Sequence, residues 1–210
     1  MTCPLCQHQS STIFDQDKLR SYYLCDQCGL VFVPRESLIS SSEEKKRYDS
    51  HQNSDQDPGY HNYLLKISQE ILPHLLSSGR GLDFGCGATK MLGSMFEKAG
   101  FEVDSFDLYY HPDQTIWQKK YDFIILSEVI EHLNSPREVM INLRGLLNPS
   151  GHIFVKTKTY PAPPEFKNWF YKRDITHVQF FNQSSFEYLA QLVHLTGPMK
   201  IGEDLFLFKE

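Results

Sequence analysis

The spacing of hydrophobic positions changes character at residue 60. A short cysteine-containing segment over 1–35 comes first, followed by a polar stretch over 36–59. From Tyr60 onward, Leu64, Leu65, Ile67, Ile71, Leu72, Leu75 and Leu76 fall at helical spacing, which predicts an amphipathic helix kinked at Pro73. Short apolar runs then alternate with amphipathic segments. They predict strands over 81–84, 102–106, 123–126, 152–155 and 204–208, and helices over about 90–99, from Ser135, and over 184–194. Ser135-Pro136-Arg137-Glu138 and Ser184-Ser-Phe-Glu187 both read as capping boxes that open helices. Strands alternating with helices predict an α/β doubly wound, Rossmann-like sheet with helices on both faces. Within the polar stretch, 40–47 reads as an exposed helix and 51–59 as a loop. The pattern divides the chain into a small module over 1–35, a linker over 36–59 and an α/β domain over 60–210.

The small module carries the pairs Cys3-Pro-Leu-Cys6 and Cys25-Asp-Gln-Cys28, eighteen residues apart. This is the spacing of a four-thiolate zinc ribbon: each pair turns two sulfurs toward one ion, and the runs 22–24 and 30–33 supply short strands around it. Four thiolates leave no open position, so Cys3, Cys6, Cys25 and Cys28 are expected to hold structural zinc. The fifth cysteine, Cys86, lies between two glycines and reads as a small loop filler.

Composition narrows the function. With 210 residues, 40% of them hydrophobic and 13% aromatic, the chain has material for a core and does not read as disordered. A net charge of -5 gives no general attraction to nucleic acid or anionic membranes. In the cysteine module Lys18, Arg20 and Arg35 are balanced by Asp15, Asp17 and Asp26, so no basic stripe faces a phosphate backbone. No stretch approaches the roughly 20 apolar residues of a membrane span, and a cytoplasmic location is expected.

Leu82-Asp83-Phe84-Gly85-Cys86-Gly87 sits between a strand and a helix, where glycines permit positive φ and let backbone N–H groups approach a ligand. About twenty residues on, the next strand ends in Asp107, placed to meet a ribose diol. Together with Phe106-Asp-Leu108, the run from Tyr121 to Leu133 (Tyr-Asp-Phe-Ile-Ile-Leu-Ser-Glu-Val-Ile-Glu-His-Leu) and Leu146-Leu-Asn-Pro-Ser-Gly151, the sequence resembles a class I S-adenosylmethionine-dependent methyltransferase, of the type 11/12/23-like domains, over about residues 60–210. The resemblance implies that Asp83, Gly85 and Gly87 hold the methionine end of the cofactor, that Asp107 takes the ribose hydroxyls, that Leu108 packs on the adenine, and that Ser127 and Glu128 line the pocket. There are two departures. Thr89 replaces the family's third glycine, and only about a dozen residues separate Asp107 from the next strand, too few for the usual extra strand and helix.

Methyl transfer from a sulfonium needs alignment, exclusion of water and sometimes a base. Glu128 and His132 share a face if the turn after Ser127 is helical, while Glu131 and His132 alternatively orient that loop. The aromatic segment over 169–181 resembles a lid in which Trp169 and Tyr171 wall a substrate cavity and His177 acts as base. The leading function is methylation of a small molecule at oxygen or carbon. RNA base methylation and a non-catalytic ligand-binding protein are the alternatives.

Overall fold

The computed structural model describes residues 1–50 and 56–210. An N-terminal antiparallel sheet contains β1 (Ser11–Gln16), β2 (Ser21–Cys25) and β3 (Val31–Phe32). Helix α1 (Ser41–Asp49) is opened by a capping box between Ser40 and Glu43. The expected loop over 51–59 lies largely outside the described residues. Helix α2 (Pro58–Ile71) starts within it, capped by Asp57, and gives way to a 3-10 turn over Leu72–His74 where Pro73 cannot continue the ladder.

The main sheet then builds up in chain order: β4 (Arg80–Phe84), α3 (Met91–Lys98), β5 (Glu102–Phe106), β6 (Tyr121–Ser127), α4 (Pro136–Gly145) and β7 (Leu147–Lys156). A short α5 (Pro163–Phe166), β8 (Gln179–Phe180), α6 (Gln183–Leu192), β9 (Thr196–Gly202) and β10 (Leu205–Lys209) complete the chain. The strand order is β5-β4-β6-β7-β10-β9. The first four strands run parallel, and the β9–β10 hairpin closes the far edge antiparallel. With no strand between Asp107 and β6, β5 is the opposite edge, as the short connection implies.

Alternation along β6 fixes the two layers. Phe123 and Ile125 pack with Leu64, Ile67 and Ile71 of α2 and Leu92 and Phe96 of α3, whereas Ile124 and Leu126 face Met140 and Leu143 of α4 and Phe186 and Leu189 of α6. No described helix is long and apolar enough to cross a membrane.

Three local expectations are corrected. Ser135 precedes α4 but its side chain makes no capping bond. The cap of α6 is Asn182, paired with Ser185, rather than Ser184 with Glu187. Strand β9 was not expected, because Gly197, Pro198 and its exposed face break the apolar pattern; an edge position tolerates both.

The N-terminal sheet is not self-contained. Its fourth strand is β8, which pairs with β3. Val178 receives the Val33 N–H on its carbonyl at 2.9 Å and donates its own N–H to the Glu131 carbonyl at 2.8 Å. One piece of backbone thereby joins the cysteine module to the end of the central strand.

Candidate active site

A cavity of about 950 Å³ opens at the carboxyl ends of β4, β5 and β6, where open α/β sheets place their ligands. Its floor is the loop after β4. Gly85 and Gly87 have φ of 79° and 66°, and the Gly85 and Cys86 N–H groups bond the Phe106 carbonyl at 2.7 and 3.0 Å. Asp107 ties this loop to the next: Oδ2 accepts from Gly87 N–H at 3.1 Å, and Oδ1 from Tyr109 and Tyr110 N–H at 2.9 and 3.1 Å. Gly85, Cys86, Gly87, Thr89, Asp107, Leu108, Ser127 and Glu128 all line the cavity. Leu108 is 65% exposed.

Asp83 differs from expectation. It is buried beneath the loop, outside the cavity wall, and accepts the Gly93 N–H of α3 at 3.1 Å. It therefore anchors helix α3 from beneath the loop and is not part of the cavity lining. Burial pushes its pKa up to about 7, against the Gly93 hydrogen bond and with help from the Asp107 charge. An unfolded aspartate titrates near 4 (about 3.9), so between about pH 4 and 7 the folded state holds more proton than the unfolded chain and stability falls as pH rises. Asp83→Asn keeps an acceptor for Gly93 and should flatten that part of the profile. Thermal melts of both proteins from pH 5 to 8 check this; parallel curves would clear Asp83 of the effect.

The opposite wall comes from the turn after β6 and from residues 170–177. Glu128 has a φ of 53°, and a 3-10 turn follows over Ile130–His132, so the helical turn expected to align Glu128 with His132 is absent. Both still line the cavity. Positive φ in a non-glycine costs of order 1–2 kcal/mol, and here it turns the carboxylate inward, where Tyr63 and Tyr171 hydroxyls each donate to it at 2.8 Å. Glu131 is fully buried behind Tyr171, whose hydroxyl lies 2.5 Å from its Oε1. Burial, then the Glu128 charge, raises its pKa well above the ordinary carboxylate range.

His132 Nδ1 lies 3.1 Å from the Thr176 carbonyl and His177 Nδ1 2.6 Å from the Tyr171 carbonyl. A carbonyl only accepts, so in both rings the proton sits on Nδ1 and Nε2 is the acceptor nitrogen. The rings meet edge to face at 4.6 Å. Burial, then the neighbouring His132, lowers the His177 pKa to about 3. It faces the cavity as expected, but as a neutral acceptor too weak to retain a proton, which counts against its role as base.

Trp169 is also corrected. The 3-10 turn over Phe170–Arg173 points Phe170 and Tyr171 into the cavity, whereas Trp169 packs with Phe166 and Phe180 against the N-terminal sheet. The polar stretch over 36–59 is more than a linker: Glu44 and Tyr48 of α1 line the cavity too. The Tyr48 ring stands 5.4 Å from His132, the Tyr109 hydroxyl bonds Glu44 at 2.5 Å, the Tyr110 hydroxyl bonds Asp49 at 2.7 Å, and Arg47 pairs with Asp174 at 3.2 Å. Helix α1 thus covers the cavity, fastened at both ends. Its sequence signal was the lone aromatic, Tyr48, in a polar helix.

Residues 57–196 match the family described as a methyltransferase domain. The chain belongs to this methyltransferase family. The fold is similar to that of 1,6-didemethyltoxoflavin-N1-methyltransferase from Burkholderia thailandensis, determined with 1,6-didemethyltoxoflavin and S-adenosylhomocysteine. The identity is 13% over 93% of this chain and 97% of that one, with a TM-score of 0.57. An O-methyltransferase family protein from Burkholderia thailandensis (14% identity, 80% of this chain, 62% of that one, TM-score 0.55) and a SAM-dependent methyltransferase from Archaeoglobus fulgidus (13%, 71%, 94%, 0.51) share it as well. No curated protein matches the sequence.

The methyltransferase carries its cysteine cluster against the same segment that walls the cavity. The four Sγ atoms lie within 4.8 Å of one another, with Cys3–Cys28 at 3.6 Å and Cys6–Cys25 at 3.3 Å. A tetrahedral zinc with bonds of about 2.3 Å spaces its sulfurs about 3.8 Å apart, so the donor set fits. Around it, Arg20 donates to the Lys172, Asp174 and Ile175 carbonyls, Lys172 pairs with Asp15, and Tyr160 donates to the Gly29 carbonyl.

Proposed function

We propose that this methyltransferase transfers the methyl group of S-adenosylmethionine to the oxygen or carbon of a small-molecule acceptor, and that Cys3, Cys6, Cys25 and Cys28 hold structural zinc. The observation that carries this reading is the single cavity running from the glycine loop and Asp107 to Tyr171, His132 and His177. At about 950 Å³ it suits a nucleoside cofactor plus a modest acceptor. The cofactor supplies an electrophilic methyl on a sulfonium. Backbone around Gly85 and Gly87 receives its amino-acid end, and Asp107, already fixed by three backbone N–H groups, receives the ribose. Tyr48, Tyr60, Tyr63 and Phe170 line the cavity and exclude water. His132 and His177 wall the acceptor end of the cavity and help orient the acceptor's nucleophilic atom toward the methyl group.

Calorimetric titration with S-adenosylhomocysteine tests the reading. One molecule should bind per chain, and Asp107→Ala should weaken it about ten- to a hundredfold, the worth of a charge-assisted hydrogen-bond pair of roughly 1.5–3 kcal/mol. A wild-type chain that binds none would overturn the assignment.

A further inference from the structure

Beneath the acceptor wall lies a group of donors whose partners do not account for it. Glu131 is 0% exposed, yet its Oε2 makes no hydrogen bond. The Tyr171 hydroxyl stands between Glu131 Oε1 at 2.5 Å and Glu128 Oε2 at 2.8 Å. A phenol has one proton and serves one carboxylate at a time. Among the described residues neither carboxylate has a lysine or arginine partner: Lys156 donates to the Glu203 carbonyl, Lys158 pairs with Asp204 and Arg47 with Asp174. Glu131 is thus fully buried with one carboxyl oxygen that no protein group satisfies.

Beside Glu131 stand the imidazoles of His132 and His177. His132 Nε2 is 4.0 Å from Glu131 Oε1, and one donor atom from each of Glu131, His132 and His177 falls within a single 4.8 Å sphere of mutual distances. In both histidines the far nitrogen is held by a main-chain carbonyl, the arrangement that fixes the tautomer and aim of a metal-binding imidazole. Two ligands about 2.1 Å from one ion lie roughly 3.0–4.2 Å apart, so each donor need move by less than about 1 Å.

We propose that Glu131, His132 and His177 form a second metal site, for a divalent ion of the manganese-to-zinc series, set beside the methyl acceptor. The proposal rests on the methyl-transfer reading for its role. Two imidazoles disfavour magnesium and calcium, and three protein donors leave coordination positions open to the cavity. An acceptor carrying a hydroxyl, best of all two adjacent hydroxyls, would bind there. The ion's charge makes the hydroxyl more acidic, so its proton passes to solvent. The oxygen then forms the new C–O bond as the C–S bond breaks, its electron pair staying on sulfur to give the neutral thioether.

The test uses the full chain with its zinc in place, desalted into metal-free buffer and titrated with MnCl2 while the electron paramagnetic resonance of free Mn2+ is followed. Mn2+ is chosen because thiolates bind it poorly. About one ion should bind per chain, and Glu131→Gln and His132→Ala should each weaken it at least tenfold. Circular dichroism melts show whether each variant is folded, and His132→Ala decides if Glu131→Gln is not. Binding of the cofactor product is read in parallel with S-adenosylhomocysteine. A wild-type chain that binds S-adenosylhomocysteine but no Mn2+ overturns the metal site alone; one that binds Mn2+ but no S-adenosylhomocysteine overturns the methyl-transfer reading alone. Undiminished Mn2+ binding by folded His132→Ala also overturns the site.

Discussion

Cys25→Ser should release zinc from about one ion per chain to none, and lower the thermal midpoint by more than about 8 °C. Small thiolate modules draw apparent folding free energy of about 10–16 kcal/mol from their metal, and three thiolates with a hydroxyl hold zinc poorly. Losing even about 4 kcal/mol moves the midpoint of a chain this size by roughly 8–16 °C. The effect should spread, because Cys3, Cys25 and Cys28 are buried in one apolar cluster with Phe32, Phe181 and Phe186. Elemental analysis with calorimetric melting checks it. A metal-free variant that melts with the wild type would remove zinc from the account of stability.

Gly85→Ala should cut S-adenosylhomocysteine affinity at least about a hundredfold. Gly85 sits at φ 79°, where an L-residue costs of order 1–2 kcal/mol, and an added Cβ would overlap the Val129 Cγ2 and stand 3.0 Å from its Cγ1. Val129 adjoins Glu128, so the collision displaces the floor and the far wall together. Gly87→Ala is the comparison: φ is 66° but nothing lies within 4 Å of its Cβ, and the loss in melting temperature should be smaller. Equal affinity for Gly85→Ala and wild type would mean that the loop does not contact the cofactor.

Much of this was legible because it rests on short-range chemistry. The apolar run of β6, the glycines after β4, the acid ending β5 and the paired cysteines each declare themselves within a few residues. What escaped depends on contacts across the chain. Asp83 looked like a ligand residue because it adjoins the glycines, but strand alternation turns it toward Gly93. Trp169 and Phe170 are neighbours, and only the tertiary turn decides which ring enters the cavity. Glu131 reads as an ordinary acid until its burial against Tyr171 is seen. Helix α1 looked solvent-exposed because its mean hydropathy is low, and its role appears only when Tyr48 meets His132.

The backbone bonds of Val178, to Val33 on one side and to Glu131 on the other, bear on how such a protein can be inherited or recombined. A gene fusion that exchanged only the first 35 residues would strip the partner strand from Gln179 and Phe180 and bare Phe166 and Val178, which pack with Tyr22, Val31 and Val33. The unit that can be traded between relatives is therefore discontinuous: the cysteine module together with the segment over 160–182. The module and that wall of the cavity should change hands as one trait.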